Sequence, residues 1–155
     1  ARECLCHGVR TGLELDLFES ILGGSWIGTE ITPELCDERW LYCWDFSHPM
    51  PEWLGRFDLV YSNSFDHSRT PEATAAVWLE QLNSQGTLFV EWSPWHDKLG
   101  RYWKADCFAA TKDEYRTLFA EVGRVVDAIE IQDVDVQGNR VDRVLFAVDR
   151  KNPKI

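Results

Sequence analysis

The chain is predicted to fold as an α/β domain, a doubly wound sheet of seven strands whose last strand runs antiparallel. Three observations carry that prediction. The short apolar run Cys4-Leu5-Cys6 leads through Gly8 and Gly12 into a helical pattern, the order strand, glycine turn, helix. Strand-like and helix-like segments then alternate to about residue 92, which implies parallel crossovers and a sheet covered on both faces. The alternation ends with two strand-like segments joined by Gln137-Gly138-Asn139-Arg140, a connection short enough to make them an antiparallel pair.

Residues 13–22 form a mostly apolar helix through Leu13, Leu15, Leu17, Phe18, Ile21 and Leu22, ended by Gly23-Gly24. Ser25 to Ile31 is the second strand. Thr32 and Pro33 read as an N-cap and first helical residue, but only a turn or two fits before the third strand, Trp40 to Asp45. After a loop carrying His48-Pro49-Met50-Pro51, Phe57 to Ser62 is the fourth strand. Thr70-Pro71-Glu72 starts a helix to about Asn83, and Gln85-Gly86 turns into a fifth strand, Thr87 to Trp92. A helix at about 112–122 precedes the closing strands, Val125 to Ile131 and Val144 to Asp149. Residues 1–150 are expected to be one domain and 151–155 a frayed tail.

With 155 residues, 45% hydrophobic and 13% aromatic, the chain has material for a real core. A net charge of −10 opposes a sequence-independent grip on phosphate backbones, so nucleic acid is not an expected partner. No apolar run approaches the roughly 20 residues that span a bilayer, and nothing resembles a signal peptide. The expectation is a cytoplasmic protein with no membrane association. The first strand starts almost at Ala1, so native residues upstream, a cap over the active site among them, are compatible with the reading. The five cysteines, at 4, 6, 36, 43 and 107, include no pair at the spacing of common zinc sites and read as free buried thiols. Cys4 and Cys6 alternate as core positions do, so a ligand set with His7 is not expected, nor any metal.

Gly8 and Gly12 let the chain reverse tightly and bring N–H groups close to a ligand, with the positive end of the next helix behind them. Glu30 ends the second strand 18 residues after Gly12. That is close to the roughly 20 between a glycine turn and a ribose-binding acid. The pattern points to an adenosine-type cofactor.

Taken together, Cys6-His7-Gly8-Val9-Arg10-Thr11-Gly12-Leu13-Glu14, Gly28-Thr29-Glu30-Ile31, Asp45-Phe46 and Phe57 through Ser62-Asn63-Ser64-Phe65-Asp66-His67 resemble the class I S-adenosylmethionine-dependent methyltransferases, and within them a little-characterised methyltransferase-like subgroup. The resemblance covers essentially the whole chain, and that superfamily shares the Rossmann-like sheet with an antiparallel last strand. Its first motif usually carries an acid before the first glycine and another glycine within the loop, where this chain has Cys6 and Arg10.

The resemblance implies S-adenosylmethionine as cofactor, with Gly8 and Gly12 under it, Glu30 on the ribose hydroxyls, Asp45 at the adenine amine, Phe46 flanking the ring and Asn63 nearby. Arg10 either holds the cofactor carboxylate or faces outward and pairs with Glu14. His67 is the candidate general base, oriented by Asp66; the other reading is a structural histidine tying the loop to the next helix. Trp92, Trp95, His96 and Tyr102 are the candidate acceptor wall, with loop packing onto the core as the other reading. The expected function is O- or N-methylation of a small-molecule acceptor, with oligomeric state open. The alternative is a cofactor-binding or scaffold protein of this fold that has lost turnover.

Overall fold

Alternating apolar residues make Glu3–His7 (β1) the spine of the sheet, because Cys4 and Cys6 face one side and Leu5 and His7 the other, all buried. The computed structural model describes residues 2–37, 40–97, 107–135 and 137–151. β1 pairs in parallel with Ser25–Glu30 (β2) on one side and Phe57–Ser62 (β4) on the other. Leu41–Cys43 (β3) lies outside β2, and Leu82–Trp92 (β5) lies beside β4, both parallel. Arg140–Asp149 (β7) inserts antiparallel between β5 and Arg124–Val134 (β6). The order is therefore β3-β2-β1-β4-β5-β7-β6, seven strands with an antiparallel final strand, as expected.

Helices Pro71–Gln81 (α2) and Lys112–Val122 (α3) cover the face carrying Leu5, Val60, Leu88, Val90, Phe146 and Val148. Thr111 caps α3 reciprocally with Glu114. Trp53, Phe57, Phe65, Trp78 and Phe119 are fully buried there, each such side chain contributing roughly 1.5–3 kcal/mol. On the opposite face Leu13–Leu22 (α1) packs Leu15 and Phe18 onto Cys4, Cys6, Trp26 and Leu41.

The expected cover on both faces is incomplete among the described residues. Among the described residues the β2–β3 and β3–β4 connections carry the 3₁₀ turns Pro33–Leu35 and Pro51–Trp53 and no α-helix, and the described helix on this face is α1. β6 stays largely exposed beyond it. α1 itself turns Leu13 (71% exposed), Leu17 (53%) and Ile21 (68%) outward.

Strand boundaries differ from expectation in two places. α2 ends at Gln81 and β5 starts at once, because Leu82 already pairs with Phe57; pairing resumes at Leu59 and Thr87. The Gln85-Gly86 turn thus becomes an irregularity inside the strand. β6 and β7 extend past the expected ends to a turn where Asp135 accepts the Gln137 and Asn139 N–H groups and Gly138 takes φ 83°.

Candidate functional site

The strand order reverses between β1 and β4, so the loops leaving their carboxyl ends flank one crevice. Gly8 (φ 73°), Arg10 (φ 52°) and Gly12 (φ 77°) give the loop after β1 three left-handed residues. A Cβ on Gly8 would lie 2.7 Å from Ser64 Cβ, a contact real side chains do not tolerate. Ser64 Oγ closes the same junction by donating to Gly8 O at 3.2 Å. The Gly8 and Val9 amides both donate to Thr29 O, whereas the Arg10 and Thr11 amides make no hydrogen bond to a described residue. Gly12 opens α1. The exposed Arg10 guanidinium forms no ion pair with a described residue, and Glu14 instead accepts a long contact from Asn63 Nδ2 at 3.5 Å. The pairing of Arg10 with Glu14 is therefore absent.

Glu30 ends β2 with its side chain nearly buried, 8% exposed, and its Oε1 accepts the Thr32 N–H at 2.8 Å. A buried carboxylate with acceptor capacity left at a strand end suits a pair of hydroxyls. Asp45 is exposed, its Oδ1 accepting the Ser47 N–H and its Oδ2 lying 3.4 Å from His48 Nδ1. Phe46 is half-buried, edge-on to Trp78 and His7, and its carbonyl accepts the Trp78 indole N–H at 3.0 Å. A Gly8 Cβ would stand 3.6 Å from Phe46, so Phe46 borders the glycine loop.

After β4, Phe65 buries itself against Trp78, Tyr115 and Phe119 and so fixes the short 3₁₀ turn Phe65–His67. The turn holds Asp66 inside and His67 outside: Oδ2 of Asp66 lies 3.8 Å from Nε2 of His67, with side-chain exposures of 7% and 47%. Asp66 O accepts the N–H groups of Cys107 and Phe108, anchoring the chain where it returns before α3. Asn63 Oδ1 lies 3.0 Å from Ser64 Oγ and shares that hydroxyl's single proton with Gly8 O.

The expected acceptor wall divides. Trp92 is core: it is buried, and its indole N–H donates to Ala110 O at 3.0 Å, which is the loop-packing reading. Trp95 is exposed, on the 3₁₀ turn Pro94–His96. His96 Nδ1 accepts the Ser93 N–H at 3.4 Å and its ring stacks near Tyr115. Tyr102 lies outside the described residues.

One residue of the site was quoted in the glycine motif without a role. His7 is fully buried, stacked on Trp78 at 4.8 Å, with Nε2 2.8 Å from Gln81 Oε1 and Nδ1 3.0 Å from Thr29 Oγ1. Gln81 Oε1 can only accept, so Nε2 carries the proton and Nδ1 accepts from the threonine hydroxyl. Burial pushes the imidazole down to about 4, against the smaller opposing effect of the Gln81 hydrogen bond. Its polar position at a strand end, directly before the glycine loop, was the available signal. Burial also raises the Cys4 thiol to about 11 and Cys6 well above the ordinary range, and like His7 both are core residues. The other three cysteines correct the expectation of buried thiols: Cys36 is half-buried, Cys43 and Cys107 are exposed. They sit in a loop, on the edge strand and before α3.

Among solved structures, the methyltransferase in complex with the Haloferax volcanii Trm112 methyltransferase activator superposes with a TM-score of 0.77 at 16% identity, over 99% of this chain and 84% of that one. A SAM-dependent methyltransferase from Methanosarcina mazei gives 0.70 at 14% identity, over 97% and 93%. This is the class I methyltransferase fold. The same methyltransferase fold is shared with the cyclase SpnF, at a TM-score of 0.75 and 13% identity, over 98% of this chain and 76% of that one. The chain spans about half the length of the citrinin polyketide synthase CMeT domain, 47%, and of the CurJ carbon methyltransferase, 49%. No family model and no curated protein matches the sequence. Among the described residues, no helix is long and apolar enough to cross a membrane, and no group of three or more His, Cys, Asp or Glu side chains is placed to hold a metal ion.

Proposed function

We propose that this chain is an S-adenosylmethionine-dependent methyltransferase domain that methylates oxygen or nitrogen of a small-molecule acceptor. One observation supports the reading: the left-handed glycine loop, the buried Glu30 carboxylate and the Asn63–Ser64 junction stand at the carboxyl ends of the neighbouring strands β1, β2 and β4, beside the point where the strand order reverses. These groups fit an adenosyl amino acid. Glu30 accepts from the ribose hydroxyls, Arg10 and the free Arg10 and Thr11 amides receive the carboxylate, and Phe46 and Asp45 serve the adenine. S-adenosylmethionine supplies the electrophilic methyl group when bound. The protein's contribution is to hold the acceptor in line with that group, and His67, oriented by Asp66, takes the acceptor proton. Trp95 supports the acceptor from the neighbouring turn. The charge of −10 favours a small acceptor over nucleic acid or an anionic membrane surface.

Calorimetric titration with S-adenosylmethionine, S-adenosylhomocysteine and a nicotinamide dinucleotide tests the cofactor. Micromolar binding of the first two alone is expected; binding of none by folded protein overturns the assignment. A second reading, the same fold without methyl transfer, is favoured by the likeness to a cyclase. Adenosyl-ligand binding with no methyl transferred to a broad panel of alcohols, phenols and amines distinguishes it.

A further inference from the structure

We infer that Cys36 and Cys43 form an oxidation site, a thiol pair that hydrogen peroxide closes into a disulfide beside Glu30. Two independent observations place both beside Glu30. Cys36 Sγ lies 3.6 Å from Glu30 O and 3.3 Å from Thr32 O, while Cys43 is the register partner of Glu30 across β2 and β3. Adjacent parallel strands are about 4.8 Å apart. The Cys36 thiol thus lies against the same main-chain carbonyl that accepts the Trp44 N–H at 2.9 Å, which sets it beside the backbone next to Cys43, and the neighbouring Cys43 thiol acts on it electrostatically. Both are reachable, Cys43 exposed and Cys36 half-buried, whereas Cys4 and Cys6 are buried and Cys107 stands at Asp66, beyond β2, β1 and β4.

Burial and the neighbouring thiol raise Cys36 to about 11, so Cys36 keeps its proton and the exposed Cys43 meets the oxidant. Cys43 sulfur attacks the O–O bond of peroxide, one water leaves, and Cys43 becomes a sulfenic acid. Cys36 sulfur then displaces the hydroxyl group, which departs as a second water carrying the Cys36 proton. Two thiols lose two electrons and one peroxide gains them. The new bond ties residue 36 to β3 across the segment that Glu30 holds through Thr32 N–H. The cross-link is independent of which ligand occupies the crevice.

The test treats the whole chain with stoichiometric hydrogen peroxide, alkylates remaining thiols and maps peptides under non-reducing conditions. A Cys36–Cys43 linked peptide is expected, with loss of two hydrogen atoms from the intact mass and full recovery in dithiothreitol. The Cys36→Ser variant is expected to stop at a sulfenic acid on Cys43 that dimedone traps. Oxidation of Cys43 that leaves Cys36 open to alkylation in the unaltered chain overturns the proposal, as does recovery of both thiols only as bonds between two chains.

Discussion

Gly8 and Ser64 hold the carboxyl ends of β1 and β4 together at a separation that leaves no room for a methyl group: an added Cβ would stand 2.7 Å from Ser64 Cβ and 2.9 Å from Oγ. Gly8→Ala also forces an L side chain into φ 73°. A destabilisation of about 1–3 kcal/mol is expected in urea unfolding, with S-adenosylhomocysteine binding lost. Adding Ser64→Gly removes the clash but not the dihedral cost, so the double variant is expected to recover only part of the stability. Equal stability of Gly8→Ala and the unaltered chain would show that the junction relaxes freely.

Glu30 has two tasks that a pair of substitutions separates. Its Oε1 holds the Thr32 N–H, which a glutamine can still do and an alanine cannot. Glu30→Gln is therefore expected to keep the fold and weaken S-adenosylhomocysteine binding about 10-fold, and Glu30→Ala about 100-fold with some loss of stability. Calorimetry and thermal melts read both. Unchanged affinity in folded Glu30→Gln would remove the ribose assignment.

His67 stands half-exposed over the buried Asp66 carboxylate, so His67→Ala separates a catalytic role from a structural one only when turnover and folding are read together. His67→Ala is expected to lower turnover about 10²- to 10⁴-fold while sparing adenosyl-ligand affinity. Asp66→Asn keeps the main-chain carbonyl that anchors Cys107 and Phe108, and is expected to lower turnover less. Lost folding in His67→Ala would assign the residue to structure.

The buried His7 makes stability depend on pH. Its folded value of about 4 lies below the ordinary 6.5, so between those values the unfolded chain binds a proton that the folded chain refuses. Its contribution is complete above pH 6.5 and is lost as pH falls toward 4, about 3 kcal/mol in all. Urea midpoints measured across that window should fall in the unaltered chain and fall less in His7→Gln. An identical slope in both would place the effect elsewhere.

Trp92→Phe removes the donor to Ala110 O and is expected to cost about 1–3 kcal/mol of stability. Acceptor KM should stay unchanged; a raised KM with unchanged melting would return Trp92 to the acceptor wall.

Sequence carried the sheet well where local signals punctuate it. β1, β2 and β4 are bounded by Gly8, Gly24 and Gly55 or by turn residues, and the short β2–β3 connection showed in the distance from Thr32 to Trp40. The start of β5 at Leu82 was hidden because pairing with Phe57 creates it, and no local pattern marks that partner. Cysteine burial was misread for a similar reason: a small apolar residue reads as core until its element is known to be a loop or an edge. The positions of the glycine loop after β1 and of Glu30 at the end of β2 were legible from spacing, whereas the contacts of His7 were not, since Thr29 and Gln81 meet it only through the fold. Trp92 and Trp95 looked alike in sequence, and only the direction each faces tells them apart.

The hydrogen bond from His7 to Gln81 spans 74 positions of the chain. During synthesis β1 emerges before α2, and its pairing with β2 needs only nearby residues. The imidazole under the glycine loop acquires its second partner when α2 has been made and docked. A nascent chain therefore cannot finish this end of the sheet until residue 81 has cleared the ribosome, so the glycine loop is translated well before the packing beneath it is complete.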